Sequence, residues 1–281
     1  MRFRWFSILA AGVISVSLVA PASQAQEKYK PGDWPMYRHS LAADGFSPLT
    51  QINASNVANL KEVWTYKLGA RGFFEVTPIV VNGVMYMPAG SSVVAVDADT
   101  GKQIWNHDWK GAPASTRGVA YWPGDKNDPP RIVFDTLDKK IEELDAATGN
   151  LVPSFANGGI LTTTVGYGGI PTIFKNMMFI GADDPATPTG PPGDSRAFDV
   201  KSGKELWVFH SVPRPGEVGN NTWLDGSWKD RSGDNLWNWV LSVDPKTDTL
   251  YIPVPGPNPN YYGGGRPGNN LFGNSLVALN A

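Results

Sequence analysis

The stretch VVAVDADTGKQIW, residues 93–105, decides the fold, because related stretches recur through the chain. It returns as IEELDAATGNLV at 141–152 and as RAFDVKSGKELW at 196–207, and its beginning returns as SLVALNA at 275–281. The recurrence of the first three copies about every 50 residues indicates a repeat architecture in which each copy is one supersecondary unit.

Each copy predicts a β-hairpin. An apolar run ends at Asp97, Asp145 or Asp199, whose side chain can accept hydrogen bonds from the amides of the following turn. A glycine a few residues later supplies the positive φ that such a turn requires. In the first and third copies the next strand carries a tryptophan, Trp105 or Trp207, which can pack across the neighbouring sheet.

A second pair of strands precedes each of these hairpins. Apolar residues flank an Asn-Gly turn signal within 79–87, and 172–180 look similar. Within 240–252 two such runs are joined by a turn at 245–248. Four strands in about 50 residues are typical of a propeller blade. We therefore predict an all-β protein, a β-propeller of four-stranded blades. A sandwich of stacked hairpins is the alternative, but it does not predict a tryptophan that recurs after the turn.

Composition excludes several classes of function. The 281 residues include 24 Lys+Arg, 26 Asp+Glu and no cysteine. With no basic excess, nucleic acid is not a favoured partner. Without cysteine the chain has no disulfide framework, zinc ribbon, iron–sulfur cluster or cysteine nucleophile.

The N-terminus has the pattern of a secretory signal peptide. Arg2 and Arg4 precede an uncharged, mostly apolar run over 5–20, and small residues lead to a cleavage point after Ala25. The run is shorter than the roughly 20 residues of a membrane span, so a retained anchor is the less favoured alternative. We predict a signal peptide at 1–25 and a partial propeller at 26–281. If the source is a Gram-negative bacterium, export would place the protein in the periplasm.

Several further phrases carry a resemblance to a known family. They are DWPMYR at 33–38, KEVWTY at 61–66, HSVPRPGE at 210–217 and YYGGGRPGNNLF at 261–272. Together with the recurring hairpins and their Asp-x-x-Thr/Ser-Gly turns, they resemble the pyrroloquinoline-quinone (PQQ) dehydrogenases with their tryptophan-docking repeats, over residues 32–281. The resemblance implies a ring of eight tryptophan-docked blades around PQQ and Ca²⁺. The sequence would supply about half of that ring, its N-terminal part.

The resemblance also implies cofactor-binding residues. Glu75 in FFEVTP and Arg117 in TRGVA match phrases whose Glu and Arg contact PQQ, and Trp237 or Trp239 matches the tryptophan on which PQQ stacks. A guanidinium suits the carboxylates of PQQ, and a carboxylate beside an apolar strand is costly unless it faces polar partners. The alternatives are a solvated Glu75, a surface Arg117 and tryptophans that pack between blades.

The sequence matches fewer of the family's Ca²⁺ ligands, and it contains no match for the family's catalytic base. Asp183 in IGADD matches a Ca²⁺ ligand of the family, but Gly256 stands where the family has an asparagine ligand. By the same resemblance the catalytic aspartate is expected beyond Ala281, so we assign no catalytic residue within the chain.

The implied function is oxidation of a small alcohol or sugar. Electrons would pass through PQQ to a separate acceptor, a cytochrome c or a membrane quinone, and we expect the 281 residues alone to be inactive. The alternative is a non-catalytic propeller similar to the outer-membrane assembly lipoproteins. Those proteins carry a lipobox cysteine, which this sequence lacks.

Overall fold

The predicted all-β class is confirmed. The computed structural model describes residues 29–69, 75–109, 111, 114–115, 117–164, 166, 169–182, 187–190, 193–233 and 240–281. Within these residues the chain forms fifteen β-strands in four antiparallel sheets. Three short 3-10 helices accompany them, at Val57–Asn59, Asn220–Thr222 and Leu224–Gly226.

In each sheet the strands lie side by side in chain order, as in a propeller blade. Blade 1 contains β1 (Ile79–Val81), β2 (Val84–Ala89), β3 (Ser92–Asp97) and β4 (Gln103–Asp108). Blade 2 contains β5 (Ala120–Trp122), β6 (Arg131–Thr136), β7 (Lys140–Asp145) and β8 (Ile160–Thr162). Blade 3 contains β9 (Thr172–Phe174), β10 (Met177–Ile180), β11 (Ser195–Asp199) and β12 (Glu205–Phe209). In blade 4 the described strands are β13 (Ser242–Asp244), β14 (Thr249–Val254) and β15 (Ser275–Asn280).

The turn after the third strand is built alike in blades 1, 2 and 3. In blade 1 the Asp97 carboxylate accepts hydrogen bonds from the Thr100 amide at 2.8 Å and from its hydroxyl at 2.7 Å. Asp145 accepts both corresponding bonds from Thr148, and Asp199 accepts them from Ser202. These bonds satisfy turn amides that no strand pairs, which is why the Asp-x-x-Thr/Ser spacing recurs.

Trp105 docks on a turn of the next blade, as predicted. Trp105, at the middle of β4, donates its indole N–H to the Ala146 carbonyl of blade 2 at 3.0 Å. A Cβ atom on Gly149 would lie 2.6 Å from the Trp105 ring, so the ring packs directly on glycine backbone. Trp64 repeats the arrangement on blade 1, with its indole N–H donated to the Ala98 carbonyl and its ring against Gly101.

The turn of blade 3 is held differently, because the second repeat has no tryptophan. Phe155, which is fully buried, packs against Gly203. The buried Arg131 donates hydrogen bonds to the carbonyls of Val200 and Lys201, and to a carboxyl oxygen of Glu143 at 2.7 Å. A guanidinium and a phenyl ring therefore take the place of the docking tryptophan between blades 2 and 3.

Apolar clusters fill the spaces between neighbouring sheets. Ile79, Tyr86 and Trp105 of blade 1 meet Ile132 and Phe134 of blade 2 in one cluster. Similar clusters join blade 2 to blade 3 and blade 3 to blade 4. The core is thus divided into inter-blade layers, as face-to-face packing of twisted sheets requires.

Antiparallel pairing gives every blade two distinct ends. The turns between the first and second strands lie with the turns between the third and fourth, since the Ala98 amide bonds to the Gly83 carbonyl at 2.9 Å. We call this the docking end. The segments that connect one blade to the next leave from the opposite end, which we call the connection end.

Within the described residues, no helix has the length and apolar character that crossing a bilayer requires.

Candidate functional site

Two of the residues predicted to contact PQQ meet at the connection end. Glu75 lies just before β1 and Arg117 just before β5, so they come from the connections that enter blades 1 and 2. The Arg117 Nη2 atom lies 3.2 Å from the Glu75 Oε2 atom. The structure therefore brings together two side chains that are 42 positions apart in sequence, between 75 and 117.

Backbone contacts fix this ion pair in place. The Thr77 amide donates a hydrogen bond of 2.8 Å to the Arg117 carbonyl, which ties the two connections together. Gly118 has a φ of +152°, and a Cβ atom there would lie 2.9 Å from the Thr77 carbonyl oxygen. Only glycine allows this close approach without displacing backbone. The Arg-Gly dipeptide of the predicted motif thus has a structural reason.

A chain of buried polar groups holds the backbone of Arg117 in place. The Arg117 amide donates to the Ser115 hydroxyl at 3.3 Å, and the Ser115 amide donates to the Asp135 carbonyl at 2.9 Å. The Asp135 carboxylate accepts a hydrogen bond of 3.1 Å from the Gly169 amide, in the connection that enters blade 3. Ser115 and Asp135 are both fully buried. This chain of bonds links the connections entering blades 2 and 3.

Sequence reasoning missed Ser115 and Asp135. Asp135 had a usable signal, since it lies in a strand, β6, whose residues are all buried. A carboxylate in such a strand requires hydrogen-bond partners. Ser115 carries no comparable signal, because a serine in a connecting segment is ordinary.

The Glu75–Arg117 ion pair is accessible to solvent, whereas Ser115 and Asp135 are buried. The side chains of Glu75 and Arg117 are 44% and 26% exposed. A guanidinium that is already oriented by a carboxylate and by fixed backbone can bind a second planar anion with little loss of conformational freedom. The arrangement is therefore suited to a ligand that carries carboxylates, which is the chemistry of PQQ.

The other predicted site residues lie outside the described residues. They are Trp237, Trp239 and Asp183, so the stacking surface and the Ca²⁺ ligand stay predictions. Among the residues that the structure describes, no group of three or more His, Asp or Glu side chains is arranged to hold a metal ion.

Comparison with known proteins identifies the same fold and the same family as the structure and the sequence motifs. The four-stranded blades and their repeated docking turns are those of a tryptophan-docked β-propeller. The family model described as "PQQ: Glucose/ethanol/alcohol dehydrogenase, beta-propeller domain" matches residues 34–281. The chain belongs to this family of PQQ dehydrogenase propellers.

Individual relatives are quinone-dependent or quinohemoprotein alcohol dehydrogenases. The dehydrogenase subunit of a quinone-dependent alcohol dehydrogenase from Gluconobacter oxydans is 35% identical over 96% of this chain and 40% of its own length. Among solved structures, the quinohemoprotein alcohol dehydrogenase ADH-IIG of Pseudomonas putida HK5 has a TM-score of 0.74 at 30% identity, covering 90% of this chain and 39% of its own. The enzyme from Comamonas testosteroni has a TM-score of 0.74 at 29% identity, with 88% and 39% covered. The chain spans about two fifths of the length of these relatives.

Proposed function

We propose that the protein is a PQQ-dependent dehydrogenase that oxidises the hydroxyl group of a small alcohol or sugar. The observation that carries this proposal is the Glu75–Arg117 pair at the connection end. Family membership and the alcohol-oxidising relatives support it. We further propose a periplasmic location, on the basis of the signal-peptide pattern at 1–25.

Each residue of the site has a defined task in this proposal. Arg117 binds a carboxylate or quinone oxygen of the cofactor through its guanidinium. Glu75 holds the guanidinium in orientation, and the Thr77–Arg117 backbone bond together with Gly118 keeps both connections at a fixed separation. Trp237 or Trp239 supplies the stacking surface. When bound, PQQ supplies an acceptor for the two electrons and two protons that leave the alcohol as it becomes a carbonyl compound.

Calcium and the electron acceptor complete the proposal. Asp183 is the predicted Ca²⁺ ligand, since hard cations prefer carboxylate oxygens. Electrons would leave for a cytochrome c or a membrane quinone. One relative is a methanol dehydrogenase subunit that is designated as cytochrome c-linked, which favours the first acceptor.

A PQQ titration tests the proposal. Adding PQQ with Ca²⁺ to the purified protein is expected to quench tryptophan fluorescence saturably. Arg117→Ala is expected to weaken PQQ binding by about 2–5 kcal/mol, because it removes one partner of a charge pair with the cofactor. Lys246→Ala is the matched control, since Lys246 is an exposed cation in the β13–β14 turn at the docking end.

The outcomes separate the alternatives. An unchanged spectrum at high PQQ would favour a non-catalytic propeller. Equal losses of affinity in Arg117→Ala and Lys246→Ala would show that Arg117 acts only through net charge. Ethanol and glucose, assayed with the PQQ-loaded protein and an artificial electron acceptor, would then distinguish the alcohol from the sugar substrate.

A further inference from the structure

A second polar site lies at the connection end, in blade 3 and the connection that follows it. A pocket of about 400 Å³ opens there, lined by Gly190, Arg214, Trp228, Lys229, Asp230 and Arg231. This volume is within the range of small-molecule sites. Three of the lining side chains are cations and one is an acid, so the described lining carries an excess of positive charge.

Arg231 is a built part of the wall rather than a surface cation. It is only 8% exposed, and its guanidinium donates to the carbonyls of Ser227, Asn258 and Gly265 at 3.1, 3.3 and 2.7 Å. These acceptors are neutral, so they orient the guanidinium without cancelling its charge. Burial and the neighbouring Arg266 lower the pKa of Arg231.

The other two cations differ in how far they are neutralised. The Arg214 Nη2 atom lies 3.4 Å from the Asp194 carboxylate, but Asp194 is shared, since Arg196 and His210 each lie 3.9 Å from it. Lys229 is exposed, and its ammonium lies 5.9 Å from the centre of the Trp228 ring. The pocket therefore presents an ammonium above an aromatic surface, next to a fixed guanidinium.

The topology places this pocket on the same side of the blades as the Glu75–Arg117 pair. Gly190 belongs to the connection between β10 and β11, and Arg214 and 228–231 belong to the connection between β12 and β13. Both connections leave from the connection end. A bridge between Thr189 and Arg231 and a hydrogen bond from the Gly190 amide to the Asp230 carbonyl join them.

We propose that this basic pocket binds the carboxylate of a small hydroxy acid, whose hydroxyl group the protein oxidises. Guanidinium and ammonium groups together recognise a carboxylate. The Trp228 ring offers an apolar surface for the carbon chain, and Asp230 in the lining disfavours a doubly charged phosphate. The binding step stands on the pocket alone, whereas the oxidation step rests on the proposed function.

Binding is tested by calorimetry on the protein without PQQ. The probes are 6-hydroxyhexanoate, the neutral 1,6-hexanediol and inorganic phosphate. We expect the hydroxy acid to bind most tightly, and Lys229→Gln to weaken its binding about threefold to fivefold, as the loss of one exposed charge contact implies. Lys246→Gln, which removes a cation at the docking end, is expected to leave binding unchanged. The proposal would be overturned if the diol or phosphate bound as tightly as the hydroxy acid. It would also be overturned if Lys229→Gln and Lys246→Gln bound the hydroxy acid equally well.

Kinetics of the PQQ-loaded protein test the substrate role separately. Lys229→Gln is expected to raise KM for 6-hydroxyhexanoate by a similar factor and to leave KM for 1,6-hexanediol unchanged. If the hydroxy acid binds but KM for both substrates responds equally, the pocket is not the carboxylate subsite of the substrate. A protein that binds the hydroxy acid without oxidising any alcohol would contradict the proposed function and not the carboxylate site.

Discussion

The docking end and the connection end of the same blades are built by different means. At the docking end, Asp97, Asp145 and Asp199 make equivalent bonds in three successive turns. At the connection end, Glu75 and Arg117 meet through segments that do not repeat. The difference separates two tasks, because the repeated end joins the blades while the irregular end presents polar groups. Substitutions at the docking end should therefore affect stability, and substitutions at the connection end should affect binding.

Trp105→Ala is expected to have the largest effect. It removes a buried indole, its hydrogen bond to Ala146 and its contact with Gly149, and should lower the free energy of unfolding by about 3–5 kcal/mol. Urea denaturation followed by circular dichroism measures this loss. Ile104→Ala, which changes the exposed neighbour, should cost far less. If the two variants are equally stable, the tryptophan does not join the blades.

Alanine in place of a glycine at each end sharpens the comparison. Gly149→Ala places a methyl group against the Trp105 ring and should cost about 1–3 kcal/mol of stability with little change in PQQ affinity. Gly118→Ala places it against the Thr77 carbonyl and should weaken PQQ binding as well, because it separates the connections that hold Glu75 and Arg117. Chemical denaturation and PQQ titration of both variants provide the two measurements.

Gly83→Ala is the control for backbone strain. Gly83 has a φ of +81°, similar to the +73° of Gly149, but no atom lies within 4 Å of the added Cβ. It should therefore report the conformational cost alone. A loss in Gly83→Ala as large as that in Gly149→Ala would show that φ, and not the tryptophan contact, sets the requirement for glycine.

At the docking end, Glu143 beside Arg131 should make the free energy of unfolding depend on pH, an effect smaller than that of Trp105→Ala. Burial raises the pKa of Glu143 to about 8, although Arg131 acts in the opposite direction. Because the folded-state pKa lies above the unfolded value, this group's contribution to stability is fully present below about pH 4 and is lost as the pH rises towards 8. The stability of the wild type relative to Glu143→Gln should thus fall by about 1 kcal/mol or more between pH 5 and pH 8. A difference that stays constant or grows over that range would show that Arg131 keeps Glu143 ionised.

Arg117→Ala is expected to have the smallest effect on stability. Its partner Glu75 is 44% exposed, and exposed ion pairs contribute at most about 1 kcal/mol. Its unfolding free energy should therefore remain close to that of the wild type while its PQQ affinity falls. A loss comparable to that of Trp105→Ala would mean that the two ends do not divide the tasks.

The sequence predicts the docking end almost residue by residue, because its interactions are local and repeated. The Asp-x-x-Thr/Ser-Gly spacing defines the turn within five residues, and the tryptophan lies a few positions later. The junction between blades 2 and 3 escapes this reasoning, since Arg131 and Phe155 reach the blade 3 turn through contacts that no motif encodes.

At the connection end only the residues matched by the family resemblance could be foreseen. Glu75 and Arg117 were predicted as separate contacts, and the structure adds their ion pair and the buried support from Ser115 and Asp135. The basic pocket was not predicted at all. Its three cations lie within the one connection between β12 and β13, a segment without periodicity, and only the folding of that connection brings Arg214 and Arg231 together.

A crystal structure of the protein grown with PQQ and Ca²⁺ tests the central claim most directly. The account predicts tricyclic density at the connection end, with a PQQ oxygen within hydrogen-bonding distance of the Arg117 guanidinium and the Glu75 carboxylate still beside it. PQQ bound at the docking end, or away from both Glu75 and Arg117, would contradict it.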